Sequence, residues 1–185
     1  MAKSLKRPLT DIEFAIVDIE TTGFSHQFDK ILEVAAIKIK NGEILGTYHS
    51  LIYTDYIPDY LTKYVHGIDV DMVKDAPQLP VVRKQFCKFV KGCVLVGHNI
   101  ISFDSRFLRN HFKINENAHY VDTLKLSRAI FPGERYHSLG VVAKRLSIKK
   151  GMNHRALSDA HATTEVFLKL INLGKKRFDA LRDLI

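Results

Sequence analysis

Hydrophobic and polar positions along the chain follow two rhythms, and the change between them marks out the elements. The first rhythm is that of extended chain. "FAIVDIE" (14–20) is an apolar run broken by acids, "ILEVAAIKIK" (31–40) is nearly all apolar, and "EILGTYHSLI" (43–52) is more mixed. Each reads as a strand. Asn41-Gly42, between the second and third, is the strongest short hairpin signal a sequence offers and suits a type I′ turn. The first three strands are therefore expected to form an antiparallel meander. An irregular stretch follows, with Pro58, Pro77 and Pro80 and one short helix around "DYLTKYVHGI".

From Val81 the rhythm turns helical, with Val82, Phe86, Phe89 and Val90 on one face. Gly92 ends that helix, and "CVLVG" (93–97) reads as a short, buried central strand. "SFDSRFLRNHF" is helical, with Phe103, Phe107 and Leu108 inward. "HYVDT" is a fifth strand, running into a helix through "LKLSRAIF" that stops at Pro132. "SLGVVAKRLSI" and "LSDAHATTEVFLKLINL" are two more helices, the second closed by Gly174. A last amphipathic segment, "KRFDALRDLI", brings Phe178, Leu181 and Ile185 back to the core. A hairpin followed by alternating helices and strands predicts an α/β fold, a mixed sheet with helices packed on it. With 185 residues the chain suits one domain over 1–185, able to bury its core without disulfides or a structural metal.

Composition narrows the class. The chain is 46% hydrophobic, and its apolar runs fall short of the roughly 20 residues that cross a bilayer. The basic start "MAKSLKRPLT" leads into "DIEFAIVDIE", too charged for a signal-peptide core. A cytoplasmic protein with no membrane partner is expected. Cys87 and Cys93 have neither a redox nor a zinc spacing and read as small hydrophobes. Formal net charge is +8, from 28 basic against 20 acidic residues, which favours a polyanionic partner. The basic residues are scattered, however, and solvated helix surface explains many of them, the Lys149–Lys150 pair included.

Candidate chemistry begins inside the first strand. Side chains alternate faces along a strand, so Asp18 and Glu20 point one way while Val17 and Ile19 point the other. Two neighbouring carboxylates repel, and desolvation penalises both. Protonation, basic partners or a multivalent cation would relieve them, and nothing basic neighbours them in sequence. Alone, the pair reads equally as an exposed edge or a salt-bridged couple. Asp104, in "GHNISFD", and Asp159, in "HRALSDA" five residues after His154, add two acids near helix starts. Either is also explained as an ordinary helix acid, Asp104 by the helix dipole.

Taken in order, "DIETTG … HGI … GHNISFD … YVDT … HSLG … HRALSDA" resembles the DEDD superfamily of 3′→5′ exonucleases. The histidine form of the last motif, H-x4-D, is similar to the DEDDh branch, the DnaQ-like proofreading exonucleases. The resemblance runs from about residue 12 to 172 and implies a ribonuclease H-like five-stranded sheet. It implies that Asp18, Glu20, Asp104 and Asp159 hold two Mg²⁺ or Mn²⁺ ions, and that His154 is the general base. Four carboxylates match the charge of two divalent ions, and all-oxygen ligation selects Mg²⁺ or Mn²⁺ over zinc. Such a pair stabilises both the attacking and the leaving oxygen of an in-line displacement. An imidazole, with a pKa near 6.5, suits a base working near neutral pH.

The resemblance further implies that Thr21, Thr22 and Gly23 lie near the terminal 3′-hydroxyl and that Phe24 is a wedge against the last bases. His66 and Ile68 would pack the terminal nucleotide, and Asn99 and Ser102 would line the approach to Asp104. His98 is assigned no chemistry. The implied substrate is a nucleic acid with a free 3′ end, single-stranded DNA before RNA, in proofreading or repair. An RNA-directed relative shares the same five residues, and a polymerase-associated nucleic-acid-binding subunit is the reading from another class. About a dozen residues follow the last long helix, with no evident clamp-binding peptide, which fits a free-standing exonuclease, or a proofreading domain whose contacts to a DNA polymerase subunit lie elsewhere.

Overall fold

A computed structural model of the chain describes residues 6–149, 151, 154–178 and 180–185, with the side chains of Thr62 and Lys63 left aside. Three strands, β1 (Glu13–Thr21), β2 (Ile31–Lys40) and β3 (Glu43–Leu51), pair antiparallel in succession. Asn41 and Gly42 take φ of 49° and 84°, the paired positive values of a type I′ turn. β4 (Val94–Gly97) and β5 (Tyr120–Asp122) then add in parallel, giving the order β3-β2-β1-β4-β5. The expected mixed five-stranded sheet is therefore present.

Among the described residues, seven α-helices accompany it. α1 (Asp59–Tyr64), α2 (Val70–Val73) and α3 (Leu79–Phe89) precede β4, and α4 (Asp104–Phe112) joins β4 to β5. α5 (Thr123–Ile130), α6 (Leu139–Arg145) and α7 (Ala156–Leu173) follow β5. The four-residue α2, capped by the Asp69 side chain on the Met72 amide, is a helix that the Pro-rich composition of this stretch did not suggest. α3 starts two residues earlier than its hydrophobic pattern implied, because Pro80 is tolerated in a first turn.

Alternation along β1 and β2 sorts the core into two layers. Phe14, Ile16, Ala35 and Ile37 pack under α7 with Ala156, Ala160, Phe167 and Leu170. Ala15, Val17, Ile19, Val34 and Ala36 face the other way, onto α3 and α4, with Phe86, Phe107 and Phe112. Asp18 and Glu20 thus share the α7 face, as alternation requires. Phe178 and Leu181 are buried in the α7 layer as expected, whereas Ile185 is half exposed. Cys87 and Cys93 are both free and only partly buried.

One polar connection crosses this apolar layer. Glu33 of β2 is fully buried, and its carboxylate accepts two bonds from the Arg155 guanidinium, at 2.9 and 3.2 Å. It also accepts the Ala156 amide at 2.9 Å and His49 Nε2–H at 2.6 Å. Arg155 is the N-cap of α7 but makes no cap bond of its own, so Glu33 supplies the cap from another strand. Burial works against ionising Glu33, but His49, Arg155 and the Ala156 amide outweigh it and hold the pKa down at about 2.

Removing this charge leaves the half-buried Arg155 guanidinium without its carboxylate. Glu33→Gln is expected to cost about 3 kcal/mol or more of stability, or ~6–12 °C in melting temperature for a domain of this size. Because the folded pKa is depressed, the stabilisation is complete above the ordinary value of 4.5 and is lost as pH falls towards about 2. Melting curves of the two proteins should therefore converge in acid.

Candidate active site

Parallel pairing decides where the site forms. β1, β4 and β5 run the same way, so their carboxyl ends meet at one edge of the sheet. That edge receives Asp18 and Glu20 from β1, the 98–104 turn from β4, and Asp122 from β5. Gly97 lets the turn leave close to β1, since a Cβ there would lie 2.8 Å from Ile100 Cβ and 3.1 Å from the Val17 carbonyl oxygen. Asn99, with φ of 66°, reverses the chain. Asp122 then fixes it, accepting the Asn99 amide at 2.9 Å and the Ile101 amide at 3.3 Å while capping α5 through the Leu124 amide. The result places Asp104 as the first residue of α4, buried at the edge.

α7 closes the site from above. Its first turns carry Ala156, Ala160 and Thr163, small residues that let the helix lie close on β1 and β2. Asp159 stands on that face. Ligand oxygens of Asp18, Glu20 and Asp159 all lie within 4.8 Å of one another. Glu20 is pushed up to about 8, first by burial and then by the charges of Asp159, Glu33 and Asp104, with Arg155 opposing. Asp104 is pushed up to about 7 by burial and by Asp122, against the pull of its own amide and that of Ile19. Carboxylates held this close and this dry want a cation. Arg155 is near, but Glu33 already engages its guanidinium. The donor set is all oxygen, which suits a hard divalent ion.

The expected residues do not all converge equally. Three of the four acids form the cluster, while Asp104 sits outside that 4.8 Å group but close enough to raise Glu20. His154 also lies outside it, exposed just before α7 with φ of 54°, a left-handed conformation that non-glycine residues seldom take. Lys150, Met152 and Asn153 lie outside the described residues; Lys149 is exposed.

Among the expected substrate contacts, Thr21 and Thr22 are buried and brace the turn after β1, Thr21 Oγ1–H donating to the Gly23 carbonyl at 2.6 Å. Phe24 is 82% exposed and meets Phe103 edge-on, with ring centroids 6.3 Å apart. His66 is buried, its Nδ1 accepting the Ile68 amide at 3.0 Å, and burial lowers its pKa. Ile68 itself is sealed among Leu32, Ile57 and Val73. Asn99 is half-buried and Ser102 exposed beside Asp104. His98 bonds Thr123 Oγ1 and the His137 carbonyl, a bracing role.

Sequence reasoning missed Glu33, Arg155 and Asp122. Glu33 carried the same signal that drew notice to Asp18 and Glu20, a lone acid in an apolar strand, and it is the cross-strand partner of Glu20. Asp122 ends an apolar strand and begins a helix, the position of an N-cap.

Fold and acids together define a ribonuclease H-like domain with an acidic cluster suited to a divalent ion. The chain belongs to the exonuclease family, whose profile matches residues 15–167. Among curated relatives it is 39% identical over 163 residues to a PolC-type DNA polymerase III of Caldanaerobacter subterraneus subsp. tengcongensis, covering 86% of this chain and 12% of that one. It is 38% identical over 169 residues to the PolC-type DNA polymerase III of Oceanobacillus iheyensis, covering 89% and 12%. The chain thus spans about 12% of the length of these relatives. Among solved structures, exonuclease I superposes with a TM-score of 0.78 at 21% identity, over 90% of this chain and 43% of that one. Exonuclease X, solved with 5′-overhanging duplex DNA, gives 0.69 at 26% identity, over 88% and 93%. The neighbours carry the expected DnaQ-like fold.

The raised acids give a direct test. A carboxyl whose folded pKa is raised adds stability that is complete below its ordinary value and is lost as pH rises through the folded value. With chelator present, the melting temperature should therefore fall as pH is taken from about 5 through the values of about 7 and 8 for Asp104 and Glu20. Added Mn²⁺ should restore it, and Glu20→Gln should flatten the slope. A flat profile in the wild-type protein would show that the acids do not strain the fold.

Proposed function

We propose that the domain hydrolyses the terminal phosphodiester bond of a DNA strand from its 3′ end, releasing nucleoside 5′-monophosphates. The observation that carries this reading is the convergence of Asp18, Glu20 and Asp159 within 4.8 Å at the carboxyl ends of parallel strands. In this reading those three acids and Asp104 hold two Mg²⁺ or Mn²⁺ ions, which when bound stabilise the charge building on the attacking and leaving oxygens. Asp18 and Glu20, fixed on a strand, and Asp159, fixed on α7, set where the phosphate sits. Asp104 supports the site from its flank.

His154 takes the proton of the attacking water, and its exposed place before α7 lets it approach a bound 3′ end from solvent. The turn through Thr21, Thr22 and Gly23, braced by hydrogen bonds, receives the 3′-hydroxyl, and Phe24 stacks on the last base. His66, Asn99 and Ser102 line the same edge, whereas Ile68 acts from the core by holding His66 in place. A chain of net charge +8 suits a polyanion. Likeness to PolC-type DNA polymerase III supports the reading of DNA over RNA as substrate, and of a proofreading role beside a polymerase. Among the described residues, no helix is long and apolar enough to cross a membrane.

Incubation with 5′-labelled single strands of DNA and RNA tests the reaction. A one-nucleotide ladder from the 3′ end, faster on DNA and abolished by chelator, is expected. Asp18→Ala should remove the ladder, and His154→Ala should slow it by about 10²–10⁴. Internal cuts, or full activity in Asp18→Ala, would overturn the assignment.

A further inference from the structure

The loop between β1 and β2 is tightly braced yet turns two phenylalanines to solvent. The Asp29 carboxylate accepts the Ser25 amide at 2.8 Å and the Thr22 hydroxyl at 3.2 Å. The Thr22 hydroxyl in turn accepts the Lys30 amide at 2.9 Å. Gly23 packs so near that a Cβ would lie 2.5 Å from Asp29 Oδ2. From the other side, Asn110 and His111 of α4 both bond the His26 carbonyl. A loop held at so many points cannot fold its apolar groups inward, and Phe24 and Phe28 remain 82% and 85% exposed.

Phe28 faces a second exposed aromatic residue. It and Tyr56, 68% exposed, line a cleft of about 210 Å³ together with Thr22, Asp29, Lys30 and Pro58. That volume is below the roughly 300–1,000 Å³ of pockets enclosing whole ligands and suits one flat group entering from an open side. The wall is aromatic and the remainder polar, the make-up that stacks a base and satisfies its edge. The Lys30 ammonium pairs with Asp55 at 2.7 Å on open surface, a weak bond that a phosphate can displace.

Position supplies the occupant. Thr22 lies two residues past Glu20, within about 7 Å of chain, so the cleft lies near the acid cluster, in the loop that leaves β1. We propose that Phe28 and Tyr56 form a stacking slot for an unpaired nucleobase of the substrate strand, upstream of the terminal nucleotide. This rests on the 3′-exonuclease reading above. A base paired in a duplex keeps its faces covered and cannot enter, so the slot selects single-stranded or frayed ends. Beyond Pro58, α1 carries Tyr60 and Tyr64, exposed and one turn apart, which adds to the aromatic surface.

The test uses the full chain in two arms. With chelator, binding of a ten-nucleotide single strand is followed by anisotropy; Phe28→Ala and Tyr56→Ala are each expected to weaken it about tenfold, and Tyr56→Phe to match wild type. With Mn²⁺, the ratio of kcat/KM for the ten-nucleotide strand over a dinucleotide is expected to fall about tenfold in the alanine variants. Melting curves verify that the variants fold, as their exposure leads one to expect. An unchanged ratio, or equal weakening on strand and dinucleotide, overturns the slot and indicates a protein surface or a general defect instead. Failure of the wild-type protein to shorten the strand at all would instead overturn the exonuclease reading, whatever the binding arm shows.

Discussion

A single buried carboxylate holds the two halves of the site in register. Glu33 lies on β2, and everything it binds at the far end of the chain belongs to the start of α7: the Arg155 side chain and the Ala156 amide. Asp159 sits one helical turn further on. The position of the third acid of the cluster is therefore set by the length and direction of bonds to a strand that carries none of the cluster itself. The same bonds hold the backbone on both sides of the Arg155 α-carbon, next to a His154 whose left-handed φ would otherwise be easily lost.

Opposed electrostatic environments a few residues apart make this arrangement work. Glu33 and Glu20 are cross-strand neighbours on one face, yet one pKa is held at about 2 and the other is pushed to about 8. The difference is donors: Glu33 has a guanidinium, an amide and an imidazole, whereas Glu20 has mostly other carboxylates around it. The first acid is finished by the protein alone. The second is left needing charge from outside, the condition of an acid suited to hold a cation.

Much of this was legible in the residues. Periodicity gave all five strands and the long helices, because alternation and the 3.6-residue repeat act locally, and Asn41-Gly42 can satisfy little other than a tight hairpin. Motif spacing singled out the acids and His154 before any geometry, and the structure brings three of those acids together. What stayed hidden was the pairing of groups remote in sequence. Glu33 meets Arg155 only because β2 flanks β1 under α7, and a short apolar strand gives no sign of what will lie above it. Phe28 and Tyr56 were equally silent, since an exposed aromatic residue looks like a core residue in a list of letters. The short α2 escaped because its helix depends on one cap, at Asp69, more than on any repeat.

The order in which the chain is made gives the Glu33 connection a further meaning. Its partner stands 122 residues later, so the strand acids are synthesised long before the helix that completes them. Until α7 emerges and docks, Asp18 and Glu20 lack both Asp159 and the histidine that precedes it. A half-made chain on the ribosome therefore carries no assembled acid cluster. Completion of the fold and assembly of the acid cluster are the same event.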